Sequence, residues 1–303
     1  MPLRLGSPES FHTVREFLTT AGYSEDFLLE HFRVPALHAL LNPMGAVREY
    51  LAQQYQGGGL LLLLARLFIG GYSAPRALVE EALPPAVFRA MEDLGLLAAN
   101  ESGSLYSPSI LYPIGDLYVA SDLSGRMEAT GYQEKDFCMT GIEEICRDFV
   151  DSFPRRPCKR FLDVGTGSGL AALIGSLHAE EAYGVDITER AIHYARFNAM
   201  LNGRENVRFL QGDMFAPVKD LQFDRIVCNP PFEPPLKQGM IYSVGGEDGE
   251  ALVARFIQEG VPYLTPGGRM YLTVTATDRE GETFDQRVDR WLGEYASQCD
   301  VAI

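Results

Sequence analysis

Along the first half of the chain, apolar positions recur at three- and four-residue spacing and are broken by proline and glycine, the pattern of short amphipathic helices. It predicts helices over Pro8 to Thr20, Glu25 to Phe32, Ala46 to Gln56 and Leu60 to Phe68. Ser7 before Pro8 and Ser24 before Glu25 are good starts, because a hydroxyl can accept from a free N–H of the first turn and proline has no N–H to lose there. A Ser73-capped helix and another from Pro85 to Leu94 follow. Then come Leu96 to Ala99, a turn at Asn100 to Gly103, and Leu105 to Ser107.

Beyond about residue 155 the period changes. Arg160 to Val164, Ala182 to Asp186, Val207 to Gln211, Phe223 to Cys228 and Arg269 to Thr275 are short apolar or β-branched runs, read as strands. Between them Leu170 to His178, Glu189 to Leu201 and Glu250 to Tyr263 keep helical periodicity. Strands alternating with helices imply right-handed crossovers and a parallel sheet. The chain therefore reads as α/β: a doubly wound, Rossmann-like sheet over residues 156–303, a connecting segment over 121–155, and a mainly helical domain over 1–120. Residues 60 to about 120 run helix, helix, helix, hairpin, the order of a winged helix. In such a sheet ligands bind at the carboxyl ends of the strands, so those ends are where the chemistry is expected.

Charge narrows the partners. Asp and Glu number 41 against 26 Lys and Arg, a net charge of -15, which counts against broad phosphate contact. Residues 1 to 120 hold 7 basic and 12 acidic side chains, a net of -5, and the helix that would enter a DNA groove carries Arg89, Glu92 and Asp93. Arg89 then reads as a solvated surface residue, and the helical domain as a device for substrate placement or homodimer formation. Leu60 to Ile69, interrupted by Arg66, is too short to span a bilayer, which takes ~20 residues. The start, Met1 to Tyr23, is polar and amphipathic and does not read as a secretory signal, so a cytoplasmic setting is expected. The 5 cysteines form no CxxC pair, which suggests neither a disulfide framework nor a metal site.

Four strand ends carry the candidate chemistry. The first reads Asp163-Val164-Gly165-Thr166-Gly167-Ser168-Gly169, where glycines let backbone approach a ligand that a Cβ would block. The second closes on Asp186-Ile187, placed for a carboxylate to accept from ribose hydroxyls. A dinucleotide site is the rival reading, but GxGxG lacks the GxGxxG spacing. The third gives Gln211-Gly212-Asp213-Met214, where Asp213 could accept from an exocyclic amino group while Ile187 and Met214 sandwich the ring. The fourth gives Asn229-Pro230-Pro231-Phe232. Two prolines remove two N–H donors, so acceptors dominate, and the Asn229 side-chain oxygen with the Pro230 carbonyl could hold both N–H bonds of a planar nitrogen while Phe232 stacks on it.

In these motifs residues 160 to about 276 resemble a class I S-adenosylmethionine-dependent methyltransferase of the methyltransferase small-domain type. The NPPF form is similar to that of enzymes methylating amide or amino nitrogens, the release-factor glutamine methyltransferases among them. The resemblance implies that Asp163, Gly165, Thr166 and Gly167 line the methionyl part of S-adenosyl-L-methionine, with Asp186 at the ribose and Asp213 with Met214 and Ile187 at the adenine. Asn229, at the cofactor's edge, joins Pro230 and Phe232 in holding the target nitrogen. Gly245-Gly246-Glu247-Asp248-Gly249 resembles the GG-x-DG segment of the glutamine-methylating group, although that group usually carries NPPY and a smaller helical leader. A protein or small-molecule acceptor fits the acidic surface better than RNA. In-line transfer from a sulfonium depends mostly on positioning and requires no metal. Phe137 and Thr140, in the segment before the first strand, are weaker candidates. The alternatives are a winged-helix regulator that senses the cofactor, or a lyase or cyclase that consumes it. At the carboxyl end a helix over Thr283 to Tyr295 and a strand over Asp300 to Ile303 are expected. The usual seventh strand is missing from the sequence, which suggests a longer natural chain or a second chain completing the sheet edge.

Overall fold

The computed structural model describes residues 2–41, 46–53, 59–123, 136–231, 246 and 249–303. In chain order the elements begin with helices α1 (Pro8–Ala21), α2 (Glu25–Phe32), α3 (Ala46–Gln53), α4 (Gly59–Phe68), α5 (Arg76–Ala82) and α6 (Pro85–Asp93). Strands β1 (Ala98–Ala99), β2 (Leu105–Tyr106), β3 (Ser109–Ile114) and β4 (Leu117–Asp122) come next. Then follow α7 (Glu144–Ser152), β5 (Cys158–Val164), α8 (Leu170–Ser176), β6 (Ala179–Asp186), α9 (Glu189–Leu201), β7 (Val207–Gln211), β8 (Phe223–Cys228), α10 (Ala251–Gly260), β9 (Leu264–Leu272) and α11 (Phe284–Leu292).

The chain divides into two compact units. One comprises residues 1–132, 138–147 and 193–205, the other residues 133–137, 148–192 and 206–303. In the first, Ser7 and Ser24 cap α1 and α2 by accepting from Ser10 N and Phe27 N. The expected cap on α5 is corrected: Pro75 occupies the cap position, without a side-chain bond, two residues after Ser73. Ala74 is bridged to Leu105, which holds the backbone extended up to the proline, so Ser73 stands too early to cap. Helices α4 to α6 and the β1–β2 hairpin follow one another in the expected order, and Arg89 is exposed. The β3–β4 hairpin was not expected. All of its strand residues are buried, so it shows no alternation of polar and apolar positions, and Gly115 at φ +53 makes its turn.

The second unit holds a parallel five-stranded sheet in the order β7-β6-β5-β8-β9. Phe161, Leu162, Ile226 and Val227 are fully buried, which explains why β5 and β8 read as continuous apolar runs. Several boundaries differ from expectation: β5 starts at Cys158 and β6 at Ala179, earlier than expected, and β9 ends at Leu272 and not at Thr275. Strand β9 starts at Leu264 and not at Arg269, because Pro266-Gly267-Gly268 bulges out of the ladder and does not end it: Phe223 pairs with Leu264 and Arg225 already with Arg269. The strand expected over Asp300 to Ile303 is absent. Helix α11, opened by a capping box on Thr283, runs into a 3-10 turn over Gly293–Gln298, and Val301 and Ile303 are left 47% and 77% exposed, without a face to cover. Among the described residues no helix is long and apolar enough to cross a membrane.

Candidate active site

Strands β5, β6, β7 and β8 run parallel, so Asp163, Asp186, Asp213 and Asn229 all fall at or just beyond their carboxyl ends. Asp163 is 2% exposed, and its Oδ2 accepts from Thr166 Oγ1 at 2.6 Å and from Ala172 N at 3.2 Å. Burial pushes its carboxyl up to about 7; those two hydrogen bonds pull it back, and nearby Asp186 adds to the rise. The buried Cys228 thiol is likewise pushed well up, by burial first and then by Asp163 and Asp186, a sign that three strand ends converge.

The loop between β5 and α8 is left-handed at Gly165 (φ +73) and Gly167 (φ +53), conformations that side chains resist. A Cβ at either would meet nothing within 4 Å, so both glycines border open space. Gly165 N and Thr166 N donate to Val185 O at 2.8 and 2.9 Å, which ties the loop to β6. This is a cradle with room for a ligand against bare backbone, bordered by a carboxylate on either side.

Asp186 is held from three directions. Its Oδ2 accepts from Gly167 N at 3.0 Å, while Oδ1 accepts from Thr188 N at 2.9 Å and Thr188 Oγ1 at 3.0 Å. A carboxylate offers about four acceptor directions, so roughly one remains for a ligand unless Thr188 turns away. Thr188 was missed in the sequence although a signal was present: it precedes α9 and accepts from Ala191 N at 3.2 Å, an ordinary cap. Ile187 is 56% exposed, a large apolar side chain left bare beside the carboxylate.

Asp213 does not stand alone as the sequence implies. Arg255 on α10 grips it with a two-pronged bond, Nη1 to Oδ1 at 3.2 Å and Nη2 to Oδ2 at 3.0 Å, and also pairs with Glu259. No pattern in the sequence points across those 42 positions. Met214 takes φ +48, rare for a bulky residue and a form of strain that gathers at ligand-binding turns. Asn229 is half-buried at the end of β8 and Pro230 is buried. Phe232, Gly245, Glu247 and Asp248 lie outside the described residues. Phe137 and Thr140 are both buried.

The methyltransferase small domain family matches residues 133–295, more than half of the chain. The chain belongs to that family. Among curated proteins this family member is similar to the release factor glutamine methyltransferase of Thermodesulfovibrio yellowstonii, with 37% identity over 128 residues, 38% of this chain and 46% of the relative. It is also similar to the ribosomal protein uL3 glutamine methyltransferase of Bradyrhizobium diazoefficiens, with 31% identity over 157 residues, 47% of this chain and 49% of the relative. The release factor glutamine methyltransferase of Escherichia coli K12 is 34% identical over 133 residues, 39% of this chain and 47% of the relative. The chain spans about half the length of these relatives.

Proposed function

We propose that this methyltransferase small-domain protein transfers a methyl group from S-adenosylmethionine to a planar amide nitrogen, with a protein glutamine side chain as the favoured acceptor. The observation that carries the reading is the open cradle at Gly165 and Gly167, flanked by the buried Asp163 and the braced Asp186, with Asn229-Pro230 two strand ends from Asp186 across the sheet. The residues fit the cofactor: bare backbone for its methionyl part, Asp186 for a ribose hydroxyl, and the apolar Ile187 and Met214, just past the ends of β6 and β7, for an aromatic ring. When bound, S-adenosylmethionine supplies a sulfonium-activated methyl group.

The chain's own contribution is placement. An amide nitrogen is a weak nucleophile because its lone pair is delocalised. The Asn229 side-chain oxygen and the Pro230 carbonyl, accepting its two N–H bonds, would turn that lone pair toward the methyl carbon and leave the proton to a weak acceptor or water. The names of the glutamine-methylating relatives support the choice of acceptor, and the net charge of -15 supports a protein over RNA. Residues 1–120, 121–155 and 156–303 serve, on this reading, as substrate-placing domain, connector and catalytic domain, in a cytoplasmic enzyme that could work as a homodimer. The test is transfer of labelled methyl from S-adenosylmethionine into fractionated extract, with protein, RNA and small-molecule pools counted separately. Label in protein that hydrolysis returns as methylglutamine supports the reading; label confined to RNA overturns the acceptor, and release of methylthioadenosine overturns the reaction.

A further inference from the structure

Far from the proposed methyl-transfer site, at the amino-terminal ends of the same strands, lies a cavity of about 400 Å³. Pro157, Cys158 and Lys159 of β5 and its approach, Asp224 and Arg225 of β8, and Gly267, Arg269 and Tyr271 of β9 line it. At about 3.3 Å per residue, β5 sets this cavity roughly 20 Å from the glycine cradle. We propose that it binds a small phosphate-class oxyanion.

The cavity arises from the bulge in β9. Between Phe223 and Arg225 the neighbouring strand advances from Leu264 to Arg269, and the extra residues form one wall. Thr265 Oγ1 pins that wall by donating to Asp224 Oδ1 at 2.9 Å. The same register sets Arg225 and Arg269 side by side on adjacent strands, so both side chains leave the same face of the sheet. Lys159 lies two residues before Phe161, the partner of Arg225 on β5, and so shares that face.

Three cations therefore line one cavity in a strongly acidic protein; Lys159 helps to hold the Asp224 and Glu181 carboxyls below their usual range, while the two arginines are left to each other. The acid in the lining, Asp224, is engaged elsewhere: besides Thr265 it accepts from Lys159 N and Arg160 N, each at 2.8 Å. Arg225 is 9% exposed, yet among the described residues it makes one hydrogen bond, from Nη1 to Arg156 O at 3.2 Å, which leaves most of a five-donor guanidinium for a ligand. Neither Arg225 nor Arg269 has a carboxylate at ion-pair distance among the described residues. Like charges directly abreast in a sheet oppose folding unless a counter-charge sits between them. Two guanidinium forks and an ammonium suit a phosphate dianion better than a single carboxylate.

Melting temperatures of the full chain in chloride, acetate and inorganic phosphate at equal ionic strength and pH test the site, with calorimetric titration of phosphate as the second readout. Phosphate is expected to raise the melting temperature saturably and acetate to leave it unchanged. Arg269→Gln, at an exposed position, should weaken phosphate binding by about tenfold or more. Arg269→Glu places a carboxylate beside Arg225 and should raise the melting temperature without phosphate while abolishing the response to it. A phosphate response that is equal in the wild type, Arg269→Gln and Arg269→Glu is general salt stabilisation and overturns the proposal. Tighter binding of glycerol 3-phosphate than of inorganic phosphate assigns the site to an organic monoester, and the reverse order to the free ion.

Discussion

Asn198 pairs with Ala120 through both ends of its side-chain amide: Oδ1 accepts from Ala120 N at 2.8 Å and Nδ2 donates to Ala120 O at 2.8 Å. One helical turn later Asn202 does the same to Tyr118, at 2.9 and 2.7 Å. Residues 118 and 120 of β4 present their N–H and C=O groups on the edge away from β3, and two amides spaced for one helix face satisfy them as a neighbouring strand would. Asn198→Ala leaves a buried donor and acceptor unmatched, so a loss of about 2–3 kcal/mol is expected in denaturant unfolding, with a similar loss for Asn202→Ala. A loss below about 0.5 kcal/mol for both would mean that these bonds do not hold the hairpin.

Nothing local in the sequence announces that relationship. The strand ends were legible because each is announced locally: a glycine run after Asp163, an acid closing a β-branched run at Asp186, an Asn-Pro-Pro turn at Asn229. The β3–β4 hairpin was not, since burial on both faces erases the two-residue period. Asn198 and Asn202 look, in sequence, like polar positions of an amphipathic helix, and nothing near them names Ala120 or Tyr118. Arg255 is equally silent about Asp213. Contacts between distant segments leave a trace in sequence only when the residue type is itself unusual for its place.

The glycine cradle makes a sharp prediction. Gly167→Ala puts a methyl group into the open space at φ +53, a conformation costing an L-residue roughly 1–2 kcal/mol. The fold should survive, with a modest drop in melting temperature, while affinity for S-adenosylmethionine measured by calorimetry falls at least about tenfold, the effect of losing more than about 1.4 kcal/mol of binding. Unchanged affinity would show that the ligand does not approach this backbone.

Asp163 predicts a pH dependence whose direction can be worked out. Its carboxyl sits near 3.8 when unfolded and is pushed up to about 7 in the folded chain, so between these values the folded form keeps a proton that the unfolded form releases. Its contribution therefore makes stability fall as pH rises from about 4 to about 7, and flatten above that. Asp163→Asn cannot ionise and should lose this slope, so the gap between variant and wild type changes across the window and is constant on either side. Parallel profiles across the whole range would remove Asp163 as the titrating group.

Asn229→Ala separates binding from chemistry. Removal of one oriented acceptor should lower turnover ~10²–10³-fold with cofactor affinity nearly intact. Loss of cofactor binding, with turnover of the bound complex unchanged, would instead make Asn229 part of the cofactor's seat.

The first unit includes residues 193–205, which fall inside the stretch matched by the methyltransferase family. Tyr194, bonded to Asp122 at 2.8 Å, and Phe197, packed edge-on against Phe11, are fully buried there along with Asn198. The catalytic region thus carries a splint for the helical leader in the middle of its own sequence. Excised as residues 133–295, it would lose Asp122 and Phe11 and so leave Tyr194 and Phe197 without those partners. Residues 193–205 thus belong to the family-matched stretch by sequence and to the first unit by structure.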